Sequence, residues 1–189
     1  TDPLAAFLGA GVGGASLRRQ AGSFFQSNRY LVPELVGVVA GLADCDEVVD
    51  LYAGVGLFAV NIAAMRGARV TAVERDSSSA RDLVSNATPL APVLQVVRAP
   101  VETYLKRCAD LEGAVVIVDP PRAGLSRNVL ARLVRRRPVR IVYVSCDVAT
   151  QARDLRRFGE SGYRVDHVHA FDMFPNTAHI ETVVSLERS

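Results

Sequence analysis

The chain has 189 residues, 49% of them hydrophobic and 22% charged, with a formal net charge of +2 at pH 7. This composition is ordinary for a globular protein with one sizeable core, and no apolar run is long enough to span a bilayer. Three cysteines, Cys45, Cys108 and Cys146, lie far apart without a CxxC pair, which argues against a disulfide framework or zinc site and favours a cytoplasmic location.

The elements predicted in chain order alternate between helices and strands. Residues 1–22 are rich in Gly and Ala and are predicted to be a flexible lead-in or the remnant of a preceding domain, whereas residues 23–189 form one domain. Helices are predicted over Leu31–Leu42, Leu57–Met65, Ser77–Ala87, Val101–Leu111, Ser126–Arg136 and Ala149–Glu160. Strands are predicted to end at Asp50 and to run over Arg69–Glu74, Val93–Ala99, Ala114–Val118, Arg140–Val144, Tyr163–Phe174 and Ile180–Leu186. This alternation predicts an α/β fold with a doubly wound, mostly parallel, Rossmann-like sheet and an antiparallel last strand.

A glycine loop, VVDLYAGVGLF over Val48–Phe58, joins the first strand to the next helix. Its two glycines, Gly54 and Gly56, let a ligand approach the backbone closely. With Glu74 at the end of the next strand, the loop fits a loose dinucleotide fingerprint. Asp50 lies four positions before the first glycine. This pattern resembles instead the first motif of class I methyltransferases that use S-adenosylmethionine (SAM). Both interpretations make the loop a cofactor site.

Four polar residues stand at the ends of predicted parallel strands: Asp50, Glu74, Asp119 and Cys146. Because ligands bind at the carboxyl ends of such strands, these residues are expected to converge on one cleft. Asp119 opens the sequence DPPR (119–122), which resembles the DPPY-type motif of amino-group methyltransferases, except that Arg122 replaces the aromatic residue. A rigid turn is the alternative interpretation of this motif.

Cys146 follows a buried strand and faces the predicted ligand loop, whereas Cys45 and Cys108 are interpreted as small buried apolar residues. A thiolate in that position can act as a nucleophile. Its attack on carbon 6 of a pyrimidine makes carbon 5 able to accept a methyl group, and a base must then remove the proton from carbon 5. Glu181, which opens the last strand after a polar loop, is a carboxylate that can serve as this base.

Together these patterns resemble the catalytic domain of the RNA uridine-5-methyltransferase family, which makes 5-methyluridine in tRNA or rRNA. The motifs that carry the resemblance are FFQSN (24–28), DLYAGVGLF (50–58), Glu74, DPPRAG (119–124), SCDVAT (145–150) and DMFPNTAHIE (172–181). The resemblance implies that SAM is the cofactor and that its binding residues are Gln26, Tyr52, Glu74 and Asp119, in addition to the glycine loop. It also implies that Cys146 is the nucleophile and Glu181 the proton acceptor.

The chain departs from this family at several points. Asp147 and Val148 stand where the family usually has Asn and Pro, and Leu57 stands where some members have Asn. Family members also carry an N-terminal RNA-binding domain, some with an iron–sulfur cluster, for which this chain has neither the length nor the cysteines. We therefore expect a monomer that uses an RNA substrate but lacks the RNA-binding domain.

Two other functions fit parts of the same sequence. An amino-group methyltransferase of RNA guanine or adenine would use DPPR and would need neither Cys146 nor Glu181. A non-catalytic domain would bind SAM and form no adduct with RNA. His167 and His169 alternate along one strand, but no third ligand has suitable spacing, so no metal site is predicted.

Overall fold

The computed structural model describes residues 17–20, 22–23, 25–26 and 28–189. Most of the predicted lead-in, residues 1–16, lies outside the described residues, as do Phe24 and Ser27. The described end of the lead-in is docked on the domain, because Leu17 is buried and the Arg18 amide donates to Oδ1 of Asn86 at 2.8 Å. The prediction that residues 1–22 are a flexible lead-in or the remnant of a preceding domain stays a prediction.

Six α-helices, seven strands and a short 3-10 helix over Thr88–Leu90 follow one another along the described chain, and helices and strands alternate up to β6. The helices are α1 (Val32–Leu42), α2 (Leu57–Arg66), α3 (Ser77–Ala87), α4 (Val101–Arg107), α5 (Arg127–Arg136) and α6 (Val148–Glu160). The strands are β1 (Glu47–Leu51), β2 (Arg69–Glu74), β3 (Leu94–Arg98), β4 (Val115–Val118), β5 (Arg140–Ser145), β6 (Tyr163–Phe171) and β7 (Glu181–Arg188).

The strands form one sheet in the order β3-β2-β1-β4-β5-β7-β6. Strands β1 to β5 pair in parallel, and β7 is antiparallel to both β5 and β6. The predicted doubly wound, mostly parallel sheet is confirmed. Its order reverses between β1 and β4, so the carboxyl ends of these two strands flank the crevice where such folds bind ligands.

Helices cover both faces of the sheet, because alternate residues of each central strand point to opposite sides. Val48 belongs to the core layer under α1, α2 and α3, and the next residue, Val49, belongs to the layer under α4, α5 and α6. All four residues of β4 are buried, as expected for a central parallel strand.

Several predicted boundaries differ from the structure. Helix α4 ends at Arg107 because Cys108 is extended and the Leu111 amide donates to the Arg136 carbonyl. Strand β6 ends at Phe171, where a turn begins. Helix α3 begins at Ser77 as predicted, and Asp76 caps it, since the Asp76 side chain accepts from the amides of Ser78 and Ser79. Cys45 and Cys108, predicted to be buried, are half-buried.

Candidate active site

The glycine loop after β1 has an unusual backbone. Tyr52 has φ 64°, a left-handed conformation that is rare for a bulky residue, and Gly54 and Gly56 have φ 55° and 99°. The loop is anchored to the neighbouring strand, because the Ala53 amide donates to the Val73 carbonyl at 3.1 Å. Strained backbone of this kind is concentrated at functional sites.

Glu74, at the end of β2, is joined to the same loop. One of its carboxylate oxygens accepts from the Gly54 amide at 2.9 Å and the other from the Asp76 amide at 2.6 Å. Each oxygen keeps lone-pair capacity for another donor. The carboxylate is thus held in a fixed position at the edge of the cleft.

A cavity of about 1030 Å³ opens at the carboxyl ends of the strands. Seven of the nine predicted site residues line it: Gln26, Tyr52, Gly54, Glu74, Asp119, Cys146 and Glu181. Phe25, Phe174, Glu102 and Arg122 are also in its wall. The structure thus brings together residues from the segment before α1, from β1, β2, β4 and β5, and from the loop before β7.

Asp50 and Gly56 do not line the cavity. The prediction that they bind the cofactor stays a prediction, and the contacts of both residues support the loop that borders the cavity. Asp50 is fully buried, and its Oδ2 accepts from the Ala59 amide at 3.0 Å, near the start of α2. A Cβ on Gly56 would come within 2.8 Å of the Leu83 and Val60 side chains, so this glycine lets the loop pack against α2 and α3.

Gln26 presents an unpartnered acceptor in the cavity wall. Its side chain is 7% exposed, and its Oε1 has no hydrogen-bond partner. A buried amide oxygen without a donor is costly. Its position in the wall fits a ligand that brings a hydrogen-bond donor.

Cys146 and Glu181 are brought together by strand register. Ser145 on β5 is paired with Thr182 on β7. Cys146 follows Ser145 and Glu181 precedes Thr182, so both residues lie at the same edge of the sheet. The Thr182 hydroxyl lies 3.0 Å from the Ser145 carbonyl oxygen and 2.7 Å from Oε1 of Gln151, and it can donate a hydrogen bond to either oxygen. This contact holds the two strand ends in place.

The site is crowded with carboxyl groups, and their pKa values reflect it. Burial raises the pKa of Glu181 to about 7. Burial, together with the nearby charges of Glu181 and Asp50, raises the pKa of Asp119 well above its ordinary value. Burial, opposed by the hydrogen bond from Ala59 and reinforced by Glu74, raises the pKa of Asp50 to about 7. Neighbouring buried carboxylates cannot all be charged at neutral pH.

Arg122 is the arginine of this wall that lies near Cys146, and in the sequence it stands out only as a departure from the DPPY-type motif. Burial and the charge of Glu181 raise the pKa of the Cys146 thiol, whereas hydrogen bonding and charge from the Arg122 guanidinium act to lower it. The sequence indicates that Arg122 and Cys146 are close, because DPPR and Cys146 stand at the ends of two adjacent strands.

The loop before β7 is fastened to the segment that carries Gln26. The side-chain amide of Asn28 donates to the Asp172 carbonyl at 3.3 Å. Within the loop, the Thr177 hydroxyl donates to the Phe174 carbonyl at 2.7 Å, and Asn176 has φ 67°. Both segments therefore contribute to the same wall of the cavity.

His167 and His169 lie on the edge strand β6, with ring centroids 4.7 Å apart. Within the described part of the chain, no group of three or more His, Cys, Asp or Glu side chains is arranged to hold a metal ion. Among those same residues, no helix is both long and apolar enough to cross a membrane.

Comparison with known proteins identifies the relatives of this arrangement. The family model described as tRNA (Uracil-5-)-methyltransferase matches residues 14–189. The chain belongs to this family. It is 38% identical over 165 residues to the tRNA (uracil(54)-C(5))-methyltransferase of Pyrococcus abyssi, covering 87% of this chain and 38% of that protein. To the 23S rRNA (uracil(747)-C(5))-methyltransferase of the same organism it is 35% identical over 167 residues, covering 88% of this chain and 39% of the relative.

A solved member of the uracil-5-methyltransferase family has the same fold. The crystal structure of the Pyrococcus abyssi tRNA (uracil-54, C5)-methyltransferase, in complex with S-adenosyl-L-homocysteine, superposes with a TM-score of 0.76 at 36% identity. The match covers 87% of this chain and 40% of that one. The chain spans about two fifths of the length of the curated relatives that it matches.

Proposed function

We propose that residues 23–189 are the catalytic domain of a methyltransferase that modifies carbon 5 of a uridine in RNA, with SAM as the methyl donor. The observation that carries this proposal is the placement of Cys146 beside Glu181 in the wall of the cavity that the glycine loop borders. A nucleophile and a base at one site are what this reaction needs. Family membership supports the same assignment.

The cavity wall fits SAM by its donors and acceptors. The carboxylate of Glu74 is fixed by two backbone amides and can accept from ribose hydroxyls. The unpartnered Oε1 of Gln26 can accept from an ammonium group, and Tyr52, Gly54 and Asp119 complete the wall. When bound, SAM supplies a methyl group that is activated by its sulfonium charge.

Cys146 and Glu181 then act on the uracil ring in sequence. The Cys146 thiolate forms a bond to carbon 6, and the electrons of the carbon 5–carbon 6 double bond move to form an enolate. Carbon 5 would then accept the methyl group of bound SAM and become tetrahedral, while the bond from the methyl carbon to the sulfonium sulfur would break and S-adenosyl-L-homocysteine would leave. The Glu181 carboxylate removes the proton from carbon 5, the double bond reforms, and the bond from carbon 6 to sulfur breaks. The thiolate is thereby restored.

The protonation states of the wall suit these roles. A base with a pKa of about 7, as in Glu181, both ionises near neutral pH and binds a proton well. The Arg122 guanidinium acts to lower the pKa of the Cys146 thiol and so favours the thiolate, whereas the nearby carboxylates raise that pKa. Burial and the nearby charges of Glu181 and Asp50 raise the pKa of Asp119 well above its ordinary value, which favours the protonated form that can donate a hydrogen bond.

RNA is the proposed partner, and a uridine must be unpaired or flipped out to reach a recessed thiol. Two guanidinium–aromatic pairs stand on the segment before α1. Arg29 stacks 4.9 Å from the ring centroid of Tyr30, which is 74% exposed, and Arg19 lies 5.5 Å from that of Phe25 in the cavity wall. Exposed aromatic rings beside arginines are suited to stacking on single-stranded bases and contacting phosphates.

The test combines product identification with covalent trapping. Incubation with radiolabelled SAM and tRNA or rRNA, in the full-length protein where this domain alone does not hold RNA, is expected to yield labelled 5-methyluridine. Cys146→Ala should bind SAM but transfer no methyl group. Glu181→Gln should transfer the methyl group and then release product roughly 100- to 10,000-fold more slowly, so that a protein–RNA band persists on a denaturing gel. Methylated amino groups, or full activity of Cys146→Ala, would instead support amino-group methylation.

A further inference from the structure

The loop that carries Arg122 is held in place by helix α6. Three side chains of this helix bind successive backbone groups of the loop over residues 122–125. The Thr150 hydroxyl donates to the Arg122 carbonyl at 3.0 Å, and Nη2 of Arg153 donates to the Ala123 carbonyl at 3.0 Å. Oδ2 of Asp154 accepts from the Leu125 amide at 2.8 Å.

Asp154 is the centre of these contacts. Its side chain is 0% exposed, and the same Oδ2 also accepts from the Tyr143 hydroxyl on β5 at 3.0 Å. Oδ1 accepts from Nε of Arg153 at 3.0 Å. A buried carboxylate is unfavourable unless it is paired and fully hydrogen-bonded, so this one is held by partners on three elements of the structure.

The loop is shaped to fit this helix closely. Gly124 has φ +74°, and a Cβ at this position would come within 2.7 Å of Nη2 of Arg153 and of Oδ2 of Asp154. Only glycine combines this backbone conformation with such a close approach.

The same helix also fixes the nucleophile. Asp147 caps α6, with Oδ1 accepting from the Thr150 amide at 2.8 Å, and Cys146 immediately precedes it. The thiol is therefore attached to the first turn of α6, and the loop bearing the guanidinium is attached to its first and second turns. A rigid element connects the two groups.

We propose that Asp154 is a positioning residue, which holds the 122–125 loop on α6 so that the Arg122 guanidinium stays beside the Cys146 thiol. This inference rests on the proposed function, in which Cys146 is the nucleophile. Asp154 lines no part of the cavity and acts through Arg122.

The variants separate this role from general stability. Asp154→Asn keeps the size of the side chain but cannot accept all the hydrogen bonds at once. Thr150→Val removes one loop contact from a half-buried position and should be milder. Arg156→Ala, an exposed arginine on the same helix, is the matched control.

The readout is the rate at which iodoacetamide alkylates Cys146, followed by mass spectrometry across a range of pH. Because the thiolate is the reactive form, loss of the guanidinium should slow alkylation at neutral pH by roughly three- to tenfold in Asp154→Asn. Thr150→Val should move the pH profile in the same direction, and Arg156→Ala should leave it unchanged. SAM affinity and melting temperature identify any variant that fails to fold.

A double-variant cycle decides whether Asp154 acts through Arg122. Arg122→Ala should slow alkylation as Asp154→Asn does, and the double variant should be no slower than Arg122→Ala alone. Additive effects, or normal alkylation in folded Asp154→Asn and Thr150→Val, would overturn the proposal. Alkylation needs neither RNA nor methyl transfer, so it tests the contact between Asp154 and the loop independently of the proposed function. If the alkylation rates change as expected but Cys146→Ala still methylates RNA, the proposed function has failed and the positioning role of Asp154 has not.

Discussion

Ser145 and Thr182 face each other on the last rung of the antiparallel ladder between β5 and β7. This pairing puts Cys146 and Glu181 at one edge of the sheet, although they come from strands that are not consecutive in the chain. The charge of Glu181 raises the pKa of the Cys146 thiol, so the proposed base affects the ionisation of the proposed nucleophile. Their different protonation behaviour leads to the first prediction.

Glu181→Gln is expected to make Cys146 more reactive towards alkylation at neutral pH. The variant removes a negative charge that raises the pKa of the thiol, so a larger thiolate fraction is present. The same variant should stall product release, so that gain in thiol reactivity and loss of turnover coincide. Alkylation of Cys146 followed over pH measures the first effect, with Glu160→Gln at the exposed end of α6 as control. An unchanged profile would contradict the coupling.

Methylation by the wild-type protein is expected to rise with pH through neutrality. The pKa of Glu181 is raised to about 7 by burial, and that of Cys146 is raised above its ordinary value, while both groups must be ionised to act. The rate should therefore fall as pH decreases below about 7, where Glu181 binds a proton. Initial rates of label incorporation at saturating SAM and RNA provide the measurement. A rate that increases towards acid would exclude these roles.

Glu74→Ala is expected to weaken SAM binding by about 1.5 to 3 kcal/mol, the range for a hydrogen bond to a charged group. The carboxylate sits in the cavity wall and is also bonded to the Gly54 and Asp76 amides, so the loop loses support at the same time. Calorimetric titration with SAM measures the change, and Glu34→Ala on the exposed side of α1 is the control. Unchanged affinity in a folded Glu74→Ala protein would remove Glu74 from the site.

Asp50→Asn is expected to stabilise the protein at alkaline pH. The pKa of Asp50 is about 7 in the folded protein and 3.8 as its ordinary value, so folding favours the protonated carboxyl group. The contribution of this group to the free energy of unfolding is therefore fully present below pH 3.8 and is lost as pH rises through 7. Asn stays neutral and can still accept from the Ala59 amide. The gain should be on the order of 4 kcal/mol above pH 7, since one pKa unit corresponds to about 1.4 kcal/mol, and it should vanish only below about pH 3.8. Urea unfolding at both pH values measures it, and equal effects at both would contradict this explanation.

Binding of RNA by this chain alone is expected to be weak and strongly dependent on salt. Its net charge is only +2, and the basic residues are almost all arginine, with Lys106 the single lysine. Contacts with phosphates release counterions, so affinity should fall steeply as salt increases. Fluorescence anisotropy with a labelled uridine-containing stem-loop tests this, and Tyr30→Ala should reduce binding more than Tyr30→Phe. Tight binding that is insensitive to salt would contradict the prediction.

The sequence by itself determined the order of strands and helices and the type of sheet. The spacing of apolar residues distinguishes helices from strands. DPPR and Cys146 each follow a continuous apolar run without the alternation of a half-exposed strand, so both are predicted at the ends of buried parallel strands. The convergence of Glu74, Asp119 and Cys146 follows from that topology. The roles of Cys146 and Glu181 came from chemistry and from resemblance to a family.

Only the tertiary structure decided which of these residues reach the cavity. Asp50 and Gly54 are close in the same motif, yet one is buried behind the loop and the other lines the cavity, because backbone dihedral angles in the loop set where each points. The register of β7 against β5, the placement of Arg122 near Cys146 and the hydrogen bonds around Asp154 join residues distant in sequence. Such contacts depend on how helices and strands pack against one another, which local patterns of residues do not specify.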